Sequence, residues 1–215
     1  MTNLFVFDFH GTLVEGNNNA TLESTNLSLE RHKRKERATL DFCVKNEGKP
    51  WSDYFRELCP DAAEEEIKSM LEVALSFDDY VIPKHVRLVK NAINVLEKIK
   101  KYGDVIIVVS STNKEAFKEY MKHIKIGHMI DEFIGITKEE ETKGRYSIAE
   151  WKGKKIKEFI ERGIFDRKFL IGNSVEDIKA GNIAGTNNFF FNPEGEKCSI
   201  AHHSIKDLKE ILSLI

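Results

Sequence analysis

Four short runs of apolar residues, each ending in small or polar residues, stand out along the chain. They are Leu4–Phe7, Val105–Val109, Phe169–Ile171 and Phe189–Phe191. Runs of this length without alternation are typical of strands buried on both faces. Apolar positions at helical spacing lie between them, namely Val86, Val89, Ile93 and Leu96, and then Ile156, Phe159 and Ile160. Alternating strands and helices predict an α/β fold with a doubly wound, Rossmann-like parallel sheet.

This alternation stops between residues 15 and 82, where the pattern indicates helices only. We expect one long polar helix over 21–45, a short one over 51–58 and a third over 62–77. The sequence therefore predicts two domains. Residues 1–14 and 83–215 form the α/β core, and residues 15–82 form an inserted helical cap.

The charge balance excludes several classes of partner. The chain has 33 basic and 35 acidic residues, a net charge of −2, so no global field attracts nucleic acid or an anionic membrane. Its apolar runs are too short for a membrane span, and its first fifteen residues lack signal-peptide features. Three scattered cysteines suggest neither a disulfide framework nor a zinc site. We expect a cytoplasmic protein.

Polar residues follow the ends of three apolar runs. They are Asp8, His10, Gly11 and Thr12 after the first, Ser110 and Ser111 after the second, and Gly172, Asn173 and Asp177 after the third. Ligands of open parallel sheets bind beyond the carboxyl ends of the strands. A carboxylate held there can be a nucleophile, although a single such Asp more often caps a turn, and Ser110 could equally cap its strand.

The order of these segments resembles the haloacid dehalogenase-like superfamily, most of whose members are magnesium-dependent phosphatases. Residues 5–13 (FVFDFHGTL) are similar to its opening motif, an apolar strand followed by Asp-x-Asp-Gly-Thr. Residues 105–111 resemble its second motif, a strand ending in Ser or Thr. Lys152 resembles the single lysine of the third, with Lys154, Lys155 and Lys157 as competing candidates. Residues 169–177 (FLIGNSVED) resemble the fourth, Gly-Asp-Ser-x-x-Asp.

The resemblance implies a two-step reaction in which Asp8 attacks phosphorus and water then hydrolyses the aspartyl-phosphate. Gly11, Thr12, Ser110, Ser111 and Lys152 would bind the phosphate. Magnesium, with Asp8, His10, Asn173 and Asp177 as its implied ligands, would offset the repulsion between nucleophile and phosphate. The partner would be a small phosphorylated substrate, admitted by opening of the cap.

Two positions depart from the family pattern. His10 stands where the family's phosphatases have a second Asp that acts as general acid and base; its backbone carbonyl would still serve the metal. Asn173 stands where the family has a metal-binding Asp. An amide oxygen carries no charge, so we expect a weakened magnesium site.

These departures leave three functions open: a phosphatase with His10 as the acid, a catalytically silent protein that binds a phosphorylated ligand or a protein partner, or a metal-independent dehalogenase-like hydrolase. Against the last, the cap is dense in charge, whereas the family's dehalogenases have an apolar cap pocket. Its basic run, residues 31–37, is typical of a solvated helix face, with Arg31 or Arg34 as alternative contacts for an anion.

Overall fold

The four apolar runs are parallel strands of one six-stranded sheet. The computed structural model describes residues 2–47, 49–137, 140 and 147–214. Its strands are β1 (Leu4–Phe7), β2 (Val14–Glu15), β3 (Arg87–Leu88), β4 (Val105–Asn113), β5 (Glu132–Ile136), β6 (Lys168–Gly172), β7 (Asn187–Phe191) and β8 (His203–Ile205). The large sheet has the order β5-β4-β1-β6-β7-β8, with parallel pairing throughout, and β2 pairs with β3 in a second sheet. The predicted α/β class is confirmed.

The hydrophobic pattern of the sequence does not predict β5 and β8, the two edge strands of the sheet. In β5 only Gly135 is buried, and in β8 only Ile205 is buried. An edge strand is paired on one side only, so it needs no continuous apolar run. The apolar runs therefore predict the central strands and miss the two at the edges.

The helices of the core are α6 (Ala92–Lys101), α7 (Lys114–Ile124), α8 (Ile148–Ile160), α9 (Val175–Ala184) and the short α10 (Ile211–Leu214). Ile156 of α8 packs with Leu4, Val6 and Ile107 of the sheet, as its spacing predicts. The helix predicted from Val86 is wrong. That segment contains β3, and α6 begins at Ala92, so Ile93 is 46% exposed and the buried face consists of Ala92, Val95, Leu96 and Ile99.

Contacts divide the described chain into two units, residues 1–15 with 88–215 and residues 16–87. The second is helical, with α1 (Asn17–Arg31), α2 (Leu40–Lys45), α3 (Trp51–Leu58), α4 (Glu64–Leu75) and α5 (Asp78–His85). It runs from Gly16 to Arg87, where the sequence predicts 15–82. Phe55, Ile67, Met70 and Ala74 form its core with Leu29.

The single helix predicted over 21–45 is two helices in the structure. Lys33 adopts a left-handed conformation with φ 57° and ends α1. Thr39 starts α2, since its side chain accepts a hydrogen bond from Phe42 N. The residues on both sides of this break have helical propensity and are polar, so the sequence does not predict where the helix is interrupted.

Among the described residues, no helix combines the length and apolar character that crossing a bilayer requires.

Candidate active site

Asp8 is held at the end of the central strand of the sheet. All four side chains of β1 are fully buried, and Asp8 N donates to Ile171 O at 2.9 Å. Because β4 and β6 flank β1 in parallel register, Asp8 and Asn173 follow the carboxyl ends of β1 and β6, and Ser110 of β4 lies at the same edge of the sheet. The sheet therefore fixes the Asp8 carboxylate at the edge where ligands of such sheets bind.

Lys152 is the lysine that reaches Asp8. Its Nζ donates to Asp8 Oδ1 at 2.6 Å and to Asp177 Oδ1 at 2.7 Å, and both of these contacts are buried. Lys154 and Lys157 are exposed or partly exposed, and Lys155 pairs with Glu140 at 2.9 Å. Of the four candidates in this segment, the structure brings only Lys152 to the carboxylates.

A close helix contact positions Lys152. Gly153, next to it on α8, faces α9 so closely that a Cβ there would lie 2.8 Å from Ile183 Cβ and 3.0 Å from Ala180 O. Without a side chain at residue 153, α8 approaches α9 and carries Lys152 to the acids.

Asp177 orients Lys152 and begins α9. Its Oδ1 accepts from Lys152, and its Oδ2 accepts from Ser174 N at 3.0 Å and from Ser174 Oγ at 2.6 Å. Ser174 in turn accepts from Asp177 N, which completes a capping box. Both carboxylate oxygens of Asp177 accept hydrogen bonds, which favours a positioning role, and its predicted role as a metal ligand stays a prediction.

The electrostatics of this triad raise the pKa of Asp8 into the neutral range. Burial, and next the charge of Asp177, raise the pKa of Asp8 to about 7, although Lys152 opposes the shift. Burial on its own would lower the pKa of Lys152, but the charges of Asp177 and Asp8 outweigh it and raise that pKa. The lysine therefore stays protonated at neutral pH, whereas Asp8 exchanges its proton near pH 7.

The turn after Asp8 uses its own backbone N–H groups. Gly11 N donates to Val14 O at 2.7 Å, and Thr12 N and Leu13 N donate to Phe9 O at 3.4 and 2.9 Å. The backbone donors at Gly11 and Thr12 that we expected to bind phosphate thus have partners within the turn. The Thr12 side chain remains at the site, with Oγ 3.4 Å from Asp8 Oδ2 and 3.2 Å from Asn173 Oδ1.

His10 packs its ring among aromatic side chains. The ring centroid lies 5.0 Å from that of Phe9 and 5.1 Å from that of Tyr120. Its Nε2 is fully buried and has no hydrogen-bond partner among the described residues. Burial, and next the charge of Lys152, lower the pKa of His10 to about 4. The imidazole is neutral at pH 7 and its Nε2 is covered.

Tyr120 and its neighbour Phe117 are site residues that the sequence did not reveal. Phe117 packs against Phe9 with ring centroids 5.0 Å apart, and it also stacks on Phe133 of β5 at 3.6 Å. The two residues lie one turn apart on α7, a spacing that indicates a common helix face. That spacing alone gives no sign that the face meets the turn after Asp8.

Ser110 is buried near the end of β4, and Ser111 follows it half-buried. Ser110 Oγ donates to Thr112 Oγ1 at 3.1 Å and accepts from Thr112 N at 3.2 Å. Its hydroxyl is thereby fixed at the same edge of the sheet as Asp8.

The oxygen atoms beside Thr12 fit a single hard cation. Asp8 Oδ2 lies 3.4 Å and Asn173 Oδ1 lies 3.2 Å from the Thr12 hydroxyl oxygen. Carboxylate and amide oxygens are suitable ligands for magnesium. Only one of the two residues can carry charge, and the described residues contain no group of three or more acidic, His or Cys side chains that could hold a metal.

Arginine side chains of the basic run, residues 31–37, contact other residues of the helical unit. Arg34 pairs with Glu66 at 2.7 Å and with Asp61 at 2.8 Å, and Arg31 lies over the Phe77 ring at 5.7 Å. These contacts favour a structural role for residues 31–37 over an anion site.

Comparisons with known proteins identify the family and the fold. The sequence model of the haloacid dehalogenase-like hydrolases matches residues 5–190. No protein with a curated description matches the sequence.

Solved structures of similar fold include a predicted phosphoglycolate phosphatase from Haemophilus somnus, with a TM-score of 0.77, 18% identity and coverage of 99% of this chain and 97% of that one. A haloacid dehalogenase-like family hydrolase from Streptococcus pneumoniae has a TM-score of 0.72, 14% identity and coverage of 99% and 98%. A subfamily IA hydrolase of the same superfamily from Geobacter sulfurreducens has a TM-score of 0.70, 13% identity and coverage of 99% and 96%. At these identities the likeness concerns the fold alone.

Proposed function

Since the chain belongs to the haloacid dehalogenase-like hydrolase family, we propose that it hydrolyses a small phosphomonoester through a phosphoryl group carried transiently on Asp8. The observation that supports this most is the 2.6 Å contact from Lys152 Nζ to Asp8 Oδ1, which fixes the nucleophile beside a buried cation. The predicted phosphoglycolate phosphatase of similar fold also supports a small phosphorylated substrate.

In the first step Asp8 attacks phosphorus through Oδ2, because Lys152 occupies Oδ1. A bond forms between Oδ2 and phosphorus, and the bond from phosphorus to the leaving oxygen breaks. Lys152 offsets charge on the phosphoryl oxygens. In the second step water attacks phosphorus and the bond from phosphorus to Asp8 Oδ2 breaks. Both water protons leave with the product as dihydrogen phosphate, and Asp8 returns to the carboxylate.

The leaving group departs without a proton from His10. Its Nε2 is covered, and the neutral imidazole has no proton to spare on that atom when the other nitrogen carries it. Loss of general acid catalysis costs about 10²- to 10⁴-fold in rate. We therefore expect the enzyme to be slow and to favour esters whose leaving group is a weak base, such as a phenolate.

Magnesium fits the proposal as an accessory at the oxygens beside Thr12. The Asp8 carboxylate, Asn173 Oδ1 and the backbone carbonyl of His10 would hold it, whereas both oxygens of Asp177 already accept hydrogen bonds. When bound, the cation supplies positive charge to the phosphoryl oxygens. A single carboxylate in this set predicts a weak affinity.

The covered imidazole of His10 favours a second candidate function, the binding of phosphorylated ligands without catalysis. If the covered imidazole leaves the first step too slow, the site retains its lysine and serine and binds phosphorylated ligands without turnover. This candidate and the phosphatase share the binding site and differ in the fate of the phosphate ester.

The test is hydrolysis of p-nitrophenyl phosphate by the purified chain, with magnesium and with chelator. Asp8→Asn is the matched negative variant, since it is isosteric and lacks the nucleophile. The surface variant Asp166→Asn controls for the amide change itself. Turnover by the unmodified chain and by Asp166→Asn, lost in Asp8→Asn, supports the phosphatase.

Three other outcomes discriminate the alternatives. Turnover equal in the unmodified chain and Asp8→Asn contradicts the proposal and favours the binding protein. Hydrolysis of a 2-haloacid that ignores chelator, without phosphatase activity, favours the dehalogenase-like reaction. A rate gain in His10→Asp with Asn173→Asp supports our account of the two departures.

A further inference from the structure

The amide of Asn173 has a defined orientation. Its Oδ1 accepts a hydrogen bond from Thr12 Oγ at 3.2 Å, on the side of Asp8. Its Nδ2 lies on the other side, against Gly11, where a Cβ would be only 2.2 Å from it. Gly11 has φ +76°, so glycine suits both the backbone and the close approach of the amide.

The Nδ2 group is a free hydrogen-bond donor. Within the part of the chain that the structure describes, none of the hydrogen bonds formed by Asn173 uses Nδ2, and the residue is half-exposed. An amide nitrogen carries two N–H donors. These donors lie beside the turn that follows the nucleophile and have no partner among the described residues.

The turn after Asp8 offers few backbone N–H donors to an anion. Gly11, Thr12 and Leu13 donate their N–H groups to Val14 O and Phe9 O. The buried cation of the site, Lys152, is shared by two carboxylates, so the three groups together have a net charge of −1 when both are ionised. An anionic ligand therefore requires neutral donors, and a carboxylate at residue 173 would repel it.

We propose that Asn173 binds the substrate's phosphoryl group through Nδ2, so that the departure from Asp makes it an anion donor. The inference rests on the proposed function and refines it: an aspartate at this position would offer the ligand charge repulsion, whereas the asparagine offers two N–H donors. Its Oδ1 accepts a hydrogen bond from Thr12 Oγ, which holds the amide in this orientation.

The test is the affinity for inorganic phosphate, measured by calorimetry with chelator present. A hydrogen bond to a charged group contributes about 1.5–3 kcal/mol, which corresponds to about 10- to 100-fold in affinity. We expect Asn173→Ala to bind phosphate at least about 10-fold more weakly, and Asn173→Asp to bind more weakly still. The matched control is Asn187→Asp, an exposed residue of the same unit, which should bind like the unmodified chain.

Each outcome of this measurement supports or contradicts the proposed role of Asn173. Unchanged affinity in Asn173→Ala, or no phosphate binding by the unmodified chain, overturns the inference. If circular dichroism shows that Asn173→Ala does not fold, the isosteric variant Asn173→Asp is measured instead. Unchanged phosphate affinity in Asn173→Asp would also overturn the inference. Hydrolysis by the unmodified chain is measured separately. If Asn173→Ala loses phosphate affinity but the unmodified chain shows no turnover, the role of Asn173 is supported and the phosphatase proposal is contradicted. If turnover depends on Asp8 but Asn173→Ala keeps its affinity, the phosphatase proposal is supported and the role of Asn173 is contradicted.

Discussion

Lys152 and Asp8 form a buried ion pair with 2.6 Å between Nζ and Oδ1, although 144 residues separate them in sequence. A buried ion pair is weak evidence for stability when it is intact, but the loss of one partner leaves an uncompensated charge. In this site the charge left behind would be that of two carboxylates, Asp8 and Asp177. The lysine is therefore important both to the fold of the core and to its chemistry.

Replacing Lys152 by Met should lower the free energy of unfolding by about 3–5 kcal/mol at pH 8. Urea unfolding measures this, and p-nitrophenyl phosphate hydrolysis should be lost together with it. Lys154→Met is the matched control on the same helix; its side chain is 76% exposed, and its loss should stay within about 0.5 kcal/mol. Equal losses in the two variants would contradict the buried contact.

The raised pKa of Asp8 predicts a pH dependence of stability. The folded value is about 7, and the unfolded value is about 4. Between these the folded protein binds a proton that the unfolded chain has released. The free energy of unfolding therefore falls as pH rises, by about 1.4 kcal/mol for each pH unit between the two pKa values. Asp8→Asn removes this fall.

Urea midpoints from pH 4 to pH 8, with chelator, measure that difference. We expect Asp8→Asn to gain relative to the unmodified chain as pH rises, while the surface variant Asp166→Asn follows the unmodified chain. A constant difference across the range would show that Asp8 does not titrate there. Magnesium should reduce the gain, since added positive charge favours the ionised carboxylate.

Gly11→Ala should disturb the site more than its backbone strain explains. Gly11 and Gly103 have φ +76° and +77°, but a Cβ at Gly103 meets no atom within 4 Å, whereas at Gly11 it meets Asn173 Nδ2 at 2.2 Å. Both variants should lose about 1–2 kcal/mol through the left-handed backbone. Only Gly11→Ala should lose more, together with phosphate affinity. The same loss in both, with affinity kept, would mean that the amide simply moves aside.

Gly153→Ala should destabilise the core although alanine favours helices by about 1 kcal/mol. The new Cβ would lie 2.8 Å from Ile183 Cβ and 3.0 Å from Ala180 O, so α8 must shift and carry Lys152 with it. Gly127→Ala is the control, because its nearest contact would be an ordinary 3.6 Å. A rise in the melting temperature of Gly153→Ala would show that α8 and α9 tolerate the extra group.

The sequence predicts the parts of the molecule in which burial is continuous. The central strands are such parts, whereas β5 and β8 are half-exposed edges and leave no clear pattern. The break at Lys33 depends on one backbone conformation, which propensity does not reveal.

The candidate site divides in the same way. Asp8 and Lys152 are evident from motifs, and the Ser174 and Asp177 spacing is that of a capping box. Which lysine reaches Asp8, and which oxygens remain free, depends on contacts across the fold. The covering of His10 by Tyr120 depends on the packing of α7, so no spacing in the sequence predicts it. The catalytic and binding roles themselves stay predictions until the variants are measured.

The position of β1 also has a consequence for biosynthesis. This strand is made first, yet both of its neighbours, β4 and β6, emerge from the ribosome much later, and Thr12 must wait for Asn173, 161 residues downstream. Contacts this distant in sequence make folding slow. A nascent chain thus exposes this apolar strand until β4 and β6 have emerged, and any product truncated before Asp177 lacks the partner that orients Lys152.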